Sequence, residues 1–133
     1  MKYLLDTHTF LSTVSGSENI PEMTRSAIQN PDSEVYVSSV SLWEIALKAR
    51  VGKLDLGTVS TDDLIGLTEE MGLELISLAP EEALSCGKLE ESSHFDPFDL
   101  MLIWQAIGRK LTMISKDNEF GKFVPHGLKL LWK

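Results

Sequence analysis

Residues 94–106 read HFDPFDLMLIWQA, with two aspartates, Asp96 and Asp99, three apart around Pro97 and ahead of an apolar run. Three more acids stand at comparable places. Asp6 ends the run YLL, Glu44 sits inside SLWEIAL, and Asp117 follows LTMIS in the stretch ISKDNEF. Carboxylates forced together repel, and at least one rises in pKa unless a cation offsets the charge. Hard divalent cations choose carboxylate oxygens, and Mg²⁺ binds through a few of them while keeping waters. A site of that kind suits phosphodiester hydrolysis, because the ion acidifies a water and neutralises charge developing on the phosphoryl group.

Each acid also has a plainer reading. Asp6 and Asp117 suit helix caps beyond a strand. Glu44 suits the positive end of a helix dipole. Asp96-Pro97-Phe98-Asp99 reads as an N-cap, a first-position proline and a capping-box acid. Taken singly, the structural readings are the simpler ones; the set is harder to dismiss, since Glu44 and Asp99 have apolar flanks that leave little room for water. The three histidines are isolated and Cys86 is the only cysteine, so no zinc spacing exists. Neither GxxxxGK(S/T) nor GxGxxG occurs, and nucleotide binding of those kinds is unsupported.

The elements that must position these acids alternate. YLL at 3–5 is a short apolar run, and THTFLSTVSG a helical start that breaks at Gly16. PEMTRSAIQN at 21–30 reads as a helix with Met23, Ala27 and Ile28 on one face. EVYVSS at 34–39 reads as a buried strand, after which Ser38 or Ser39 caps a helix carrying Val40, Trp43, Leu47 and Val51 toward a core. Helices are expected at 61–71, over PEEALSCGKLEE at 80–91 and over DPFDLMLIWQAIGRK at 96–110; strands are expected at 73–78, 111–115 and 128–132. Strands alternating with helices imply a mostly parallel sheet of four to five strands with helices on both faces, a three-layer α/β/α sandwich. The near-continuous apolar character of EVYV, LTMI and LKLL agrees with strands buried on both faces. Sites in such sheets form outside the carboxyl ends of the strands, which gathers Asp6, Glu44 and Asp117 at one edge. Asp99 is harder to place there, because SSHF before it makes no convincing strand.

The 133 residues read as one domain, able to bury about two-thirds of the surface of the unfolded chain. A net charge of −8, from 20 acidic against 12 basic side chains, argues against a basic-patch nucleic-acid binder and against an anionic membrane surface. It leaves room for a nuclease, whose metal site is itself acidic. One cysteine fits a reducing compartment, and Cys86 reads as a small, buried or half-buried apolar residue. No signal-peptide or membrane-spanning run is present in the sequence, so the cytoplasm is the expected location.

Four stretches, LLDTHTFL, VSSVSLWEIALKARVGKL, HFDPFDLMLIWQA and LTMISKDNEFGKF, resemble in order the acidic motifs of PIN-domain proteins, in particular the single-domain VapC branch of type II toxin–antitoxin systems. The resemblance spans essentially the whole chain. It implies a Mg²⁺- or Mn²⁺-dependent endoribonuclease whose four acids map to Asp6, Glu44, Asp99 and Asp117. DLMLIWQA matches the family's D-x-L-x-x-A-x-A helix with Asp99 in the lead, although Trp104 stands where a small residue is commoner. Ser115 holds the hydroxyl position two before the fourth acid, implying a supporting role on water or phosphate, and Asp96 is expected to cap the helix with at most an auxiliary part. The resemblance also implies a cognate antitoxin, operator DNA reached only through that antitoxin, and a homodimer. Lys48, Arg50 and Lys53 form a small basic cluster that suits RNA phosphates or an acidic antitoxin tail, and equally a solvated helix face.

Two other readings share the fold: a non-toxin PIN nuclease of RNA processing, and a catalytically silent PIN module, which would lack an acid. A further enzyme reading rests on Asp6-Thr7-His8-Thr9, which resembles the D-x-D-x-T/V loop of haloacid-dehalogenase-like phosphohydrolases. His8 stands where that loop needs its second aspartate, and the chain is short for that fold.

Overall fold

The protein is described by a computed structural model over residues 1–16, 19–91, 93–94 and 96–133. Phe95, inside the HFDPFD stretch, lies outside the described residues. Five strands, β1 (Lys2–Leu5), β2 (Glu34–Ser38), β3 (Glu74–Ile76), β4 (Thr112–Ile114) and β5 (Lys129–Leu131), form one sheet in the order β3-β2-β1-β4-β5. All four pairings are parallel. Helices α1 (Thr7–Ser15), α2 (Glu22–Gln29), α3 (Ser39–Arg50), α4 (Leu64–Glu70), α5 (Pro80–Ser85) and α6 (Pro97–Arg109) connect the strands, with short 3-10 segments at Thr61–Asp63, Cys86–Lys88 and Asn118–His126.

Strand alternation divides the side chains of β1 between two cores. Leu4 points into a cluster with Met113, with Leu102, Ile103 and Ala106 of α6, and with Phe120 and Phe123. Tyr3 and Leu5 point the other way, to Phe10, Val35, Val37, Ile45, Leu64 and Ile114. This is the expected sandwich, with period-2 burial on a sheet covered on both faces. The outer strands depart from it. Leu75 of β3 is exposed and β5 is only half-buried, because the sheet order places both at a margin.

Three helical expectations change. Of the four apolar residues assigned to the core face of α3, only Val40 is buried; Trp43 is 59% exposed, Val51 is 64% exposed, and Leu47 also reaches solvent. Val40 feeds one core and Ile45 the other, and Ser41 and Glu44 are buried with them. The helix turns inward the face that carries Glu44, and the apolar stripe faces out. On α2, Met23 is likewise exposed, and the buried position is Thr24, whose hydroxyl accepts from the Lys133 backbone N–H at 3.0 Å. The helix predicted over 80–91 stops at Ser85 and tightens into the 3-10 turn at Cys86–Lys88, where Gly87 weakens helical propensity. Cys86 is half-buried and burial raises its thiol pKa, which fits a packing role. Among the described residues, no helix is long and apolar enough to cross a membrane.

Candidate active site

Register sets the edge. Leu4 pairs with Tyr36 and Leu5 with Ile114, so Asp6 comes level with Ser38 at the end of β2 and with Ser115 just past β4. The Asp6 backbone N–H donates to the Ile114 carbonyl at 3.1 Å, carrying the ladder one residue beyond β1. Asp6 then turns into α1 as its N-cap, with Oδ1 accepting from the Thr9 N–H at 2.8 Å. Despite the charge it is only 4% exposed. The sequence offered a cap or a site residue at Asp6; the capping bond is made, and the carboxylate is held at the carboxyl edge of the sheet.

Glu44 reaches the same place from α3. The Ser38 hydroxyl accepts from the Val40 N–H at 3.1 Å and starts the helix, which puts Glu44 in its second turn. Its Oε1 accepts from the Thr7 hydroxyl at 2.6 Å, and a bifurcated Thr7 hydroxyl also meets the Ser41 hydroxyl at 2.9 Å. Its Oε2 is paired with the Lys48 ammonium one turn on. That carboxylate raises the Lys48 pKa, with Asp96 and Asp99 adding to the effect. Lys48 therefore belongs to the acid cluster, while Arg50 and Lys53, the rest of the predicted basic cluster, are exposed.

Asp96 and Asp99 divide their tasks. Asp96 caps α6, its Oδ1 accepting from the Phe98 and Asp99 N–H groups at 2.9 and 3.1 Å. Pro97 occupies the first turn, where its missing N–H costs nothing. Asp99 is half-buried, and burial together with the Asp96 and Glu44 charges pushes its carboxyl up to about 6, against a downward pull from His94. Asp99 thus lies within the field of both Glu44 and Asp96, although no described strand delivers it to the edge. Asp117 lies just past β4, exposed. It caps the 3-10 segment through Oδ1 to the Glu119 N–H at 2.9 Å, and its own N–H donates to Ser115 at 3.1 Å. Ser115 is buried.

The donor set fits a hard divalent cation in kind: buried or half-buried carboxylates from three elements, charge-compensated chiefly by one lysine. The side chains are not already drawn around a common point, since among the described residues no three acidic, histidine or cysteine side chains stand ready to share an ion. Asp6 is spent partly on its cap and Glu44 on Thr7 and Lys48, so ion binding entails rotation of these carboxylates. A cavity of about 570 Å³ between α1, α2 and the β2 entrance includes Arg25, Asn30 and Ser33 and lies at the opposite edge of the sheet. Chemistry is better sought at the carboxylates.

Sequence reasoning missed Thr7, Ser41 and His94, which bond to Glu44, to Thr7 and to Asp99. The Glu44/Lys48 spacing of four on a helix was a readable signal for their pairing. Nothing local marks Thr7 or Ser41, whose bonds span 34 and 37 residues.

Residues 3–124 match the PIN domain family, and the chain belongs to that family, whose fold is a nuclease fold. Solved structures agree on the fold. One is VapBC2 of Rickettsia felis bound to a promoter DNA fragment (18% identity, 100% of both chains, TM-score 0.70). Another is DNA-bound VapBC of Salmonella typhimurium (21% identity, 98% of this chain and 97% of that one, TM-score 0.68). A third is VapBC-5 of Mycobacterium tuberculosis, a member of the VapBC family of toxin–antitoxin systems (18% identity, 99% and 98%, TM-score 0.58). No curated protein matches the sequence.

Proposed function

We propose that this protein is the toxin of a type II toxin–antitoxin pair, a Mg²⁺- or Mn²⁺-dependent endoribonuclease. The observation that carries the proposal is the burial of Asp6 and Glu44 at the carboxyl edge of a PIN-family sheet, with Asp99 within the field of Glu44. Burying that much negative charge costs several kcal/mol unless a cation repays it, and one lysine offsets only part. Asp6, Glu44 and Asp99 would hold the ion, with Asp117 at the open rim.

A bound divalent ion supplies positive charge to the phosphodiester oxygens and makes a water more acidic. Glu44 is aimed by the Thr7 hydroxyl, and Lys48, its partner one turn on, would be free to meet an RNA phosphate where the carboxylate holds the ion. Ser115, level with Asp6, offers its hydroxyl to water or to a phosphate oxygen. Arg50 and Lys53, exposed beyond Lys48, suit the flanking phosphates or an acidic antitoxin tail.

The similarity to VapBC complexes supports a cognate antitoxin, and the DNA in two of them supports operator binding through that partner rather than through this acidic chain. A homodimer and a cytoplasmic location complete the reading. Purified protein is expected to cleave RNA in Mg²⁺ or Mn²⁺, to stop in EDTA and to lose cleavage as Asp6→Asn with its fold retained. Full activity in EDTA would refute it.

A further inference from the structure

His94 lies five residues before Asp99 in the sequence and is joined to it in the fold. Its side chain is only 9% exposed, and Nε2 lies 3.1 Å from Asp99 Oδ2. The ring meets Phe123 edge-on at 5.5 Å between centroids and Phe120 at 6.0 Å, and both phenylalanines are fully buried. Those two residues belong to the 3-10 segment Asn118–His126 that Asp117 caps. A buried imidazole with one polar atom on a carboxylate and its ring set against two core rings has few rotamers left. It thereby ties the first turn of α6 to the segment that begins at Asp117.

We infer that His94 is a positioning residue: it donates from Nε2 to Asp99 Oδ2, fixes the plane of that carboxylate for a divalent cation, and holds Asp99 and Asp117 in register. The inference rests on the metal-nuclease reading above. A partner that orients a ligating side chain governs metal affinity and geometry without touching the ion. The Phe120 and Phe123 contacts set where the ring sits, and the Asp99 contact is what the ring does there.

Two substitutions separate these contributions. His94→Phe keeps an aromatic ring against Phe120 and Phe123 and removes the donor; His94→Gln removes the ring and places an amide donor at the same reach. The probe is Mn²⁺ alone, its binding followed by the loss of the free-ion paramagnetic resonance signal without RNA. Wild type, Asp99→Asn and both His94 variants are compared, with RNA cleavage measured in parallel. The expected result is a Mn²⁺ affinity weakened by about 10–100-fold in His94→Phe and by no more than about threefold in His94→Gln, with KM for RNA little changed. Wild-type affinity in His94→Phe, or equal losses in both variants, would overturn the inference and leave the ring as packing alone. So would a His94→Phe chain that fails to fold while His94→Gln folds but binds Mn²⁺ as weakly as Asp99→Asn. If Asp99→Asn binds Mn²⁺ as wild type does, the nuclease site is misassigned and the inference falls with it; if only Asp99→Asn loses binding, the site stands and His94 is released from it.

Discussion

Asp96 and Asp99 stand three residues apart with the same side chain, and their surroundings give them opposite energetics. Asp96 accepts two backbone N–H groups that would otherwise lack partners at the start of α6. Removing it as Asp96→Ala is expected to cost about 1 kcal/mol in urea unfolding. Asp99 caps nothing in the described structure and carries a carboxyl raised to about 6 by burial and by Asp96 and Glu44. A raised acid binds its proton more tightly in the folded state, so its ionisation lowers stability as pH rises from about 4 to about 6. Asp99→Asn in metal-free buffer is therefore expected to unfold no more easily than wild type at pH 7, by up to about 2 kcal/mol in its favour. That advantage should shrink as pH falls toward 4. A loss of stability at pH 7 equal to that of Asp96→Ala would make Asp99 structural. The sequence placed Asp96 ahead of Pro97 as the cap and Asp99 in the first turn, as the structure has them. The burial that raises the Asp99 carboxyl, and the Glu44 charge that adds to it from α3, were not legible in the spacing.

At the scale of elements, the helices were legible where capping residues and glycine or proline stops are local. Asp6, Ser38, Asp96 and Asp117 all cap as their residue types and positions suggest. The facing of α3 was not legible, because Trp43, Leu47 and Val51 make an apolar stripe at helical spacing that competes with the face carrying Val40, Ser41, Glu44 and Ile45. Packing of α3 across both cores decides for the second, and Trp43 is left to meet Phe98 edge-on at the surface. A polar chain that runs from the buried Ser38 and Gln105 out to the exposed Arg109 then fixes α3 against α6 and α5. The Ser38 hydroxyl donates to Gln105 at 2.6 Å, Gln105 donates to Glu82 at 3.2 Å, and Arg109 grips Glu82 with two bonds of 2.7 and 2.8 Å. The Arg109 guanidinium is the main reason the Glu82 carboxyl is lowered to about 2. A depressed acid stabilises the fold above its unfolded pKa and loses that contribution as pH falls through the folded one. Because the pair is partly open to solvent, which screens it, Glu82→Gln is expected to cost no more than about 1 kcal/mol at pH 7, with the difference from wild type closing between about pH 4.5 and pH 2. Urea unfolding at several pH values reads it, and a difference unchanged down to pH 2 would remove the ion pair from the account.

For the whole molecule, the alternation of strands and helices was enough to predict a parallel sheet covered on both faces, because parallel strands need crossovers and crossovers need helices. Strand order is set by long-range pairing, and the marginal placement of β3 and β5 could not be read from LELISL or LKLLW, whose apolar runs suit a central strand equally well. The same order places β1 between β2 and β4, which brings Asp6 between the starting points of Glu44 and Asp117. A divalent cation held at this juncture is what would turn the fold into a nuclease. Anomalous diffraction from crystals soaked in Mn²⁺ tests it most directly. One or two peaks are expected at about 2.0–2.3 Å from carboxylate oxygens of Asp6 and Asp99, with Glu44 turned away from Lys48. Crystals with no peak at these carboxylates, or with ordered Mn²⁺ only elsewhere on the surface, would contradict it.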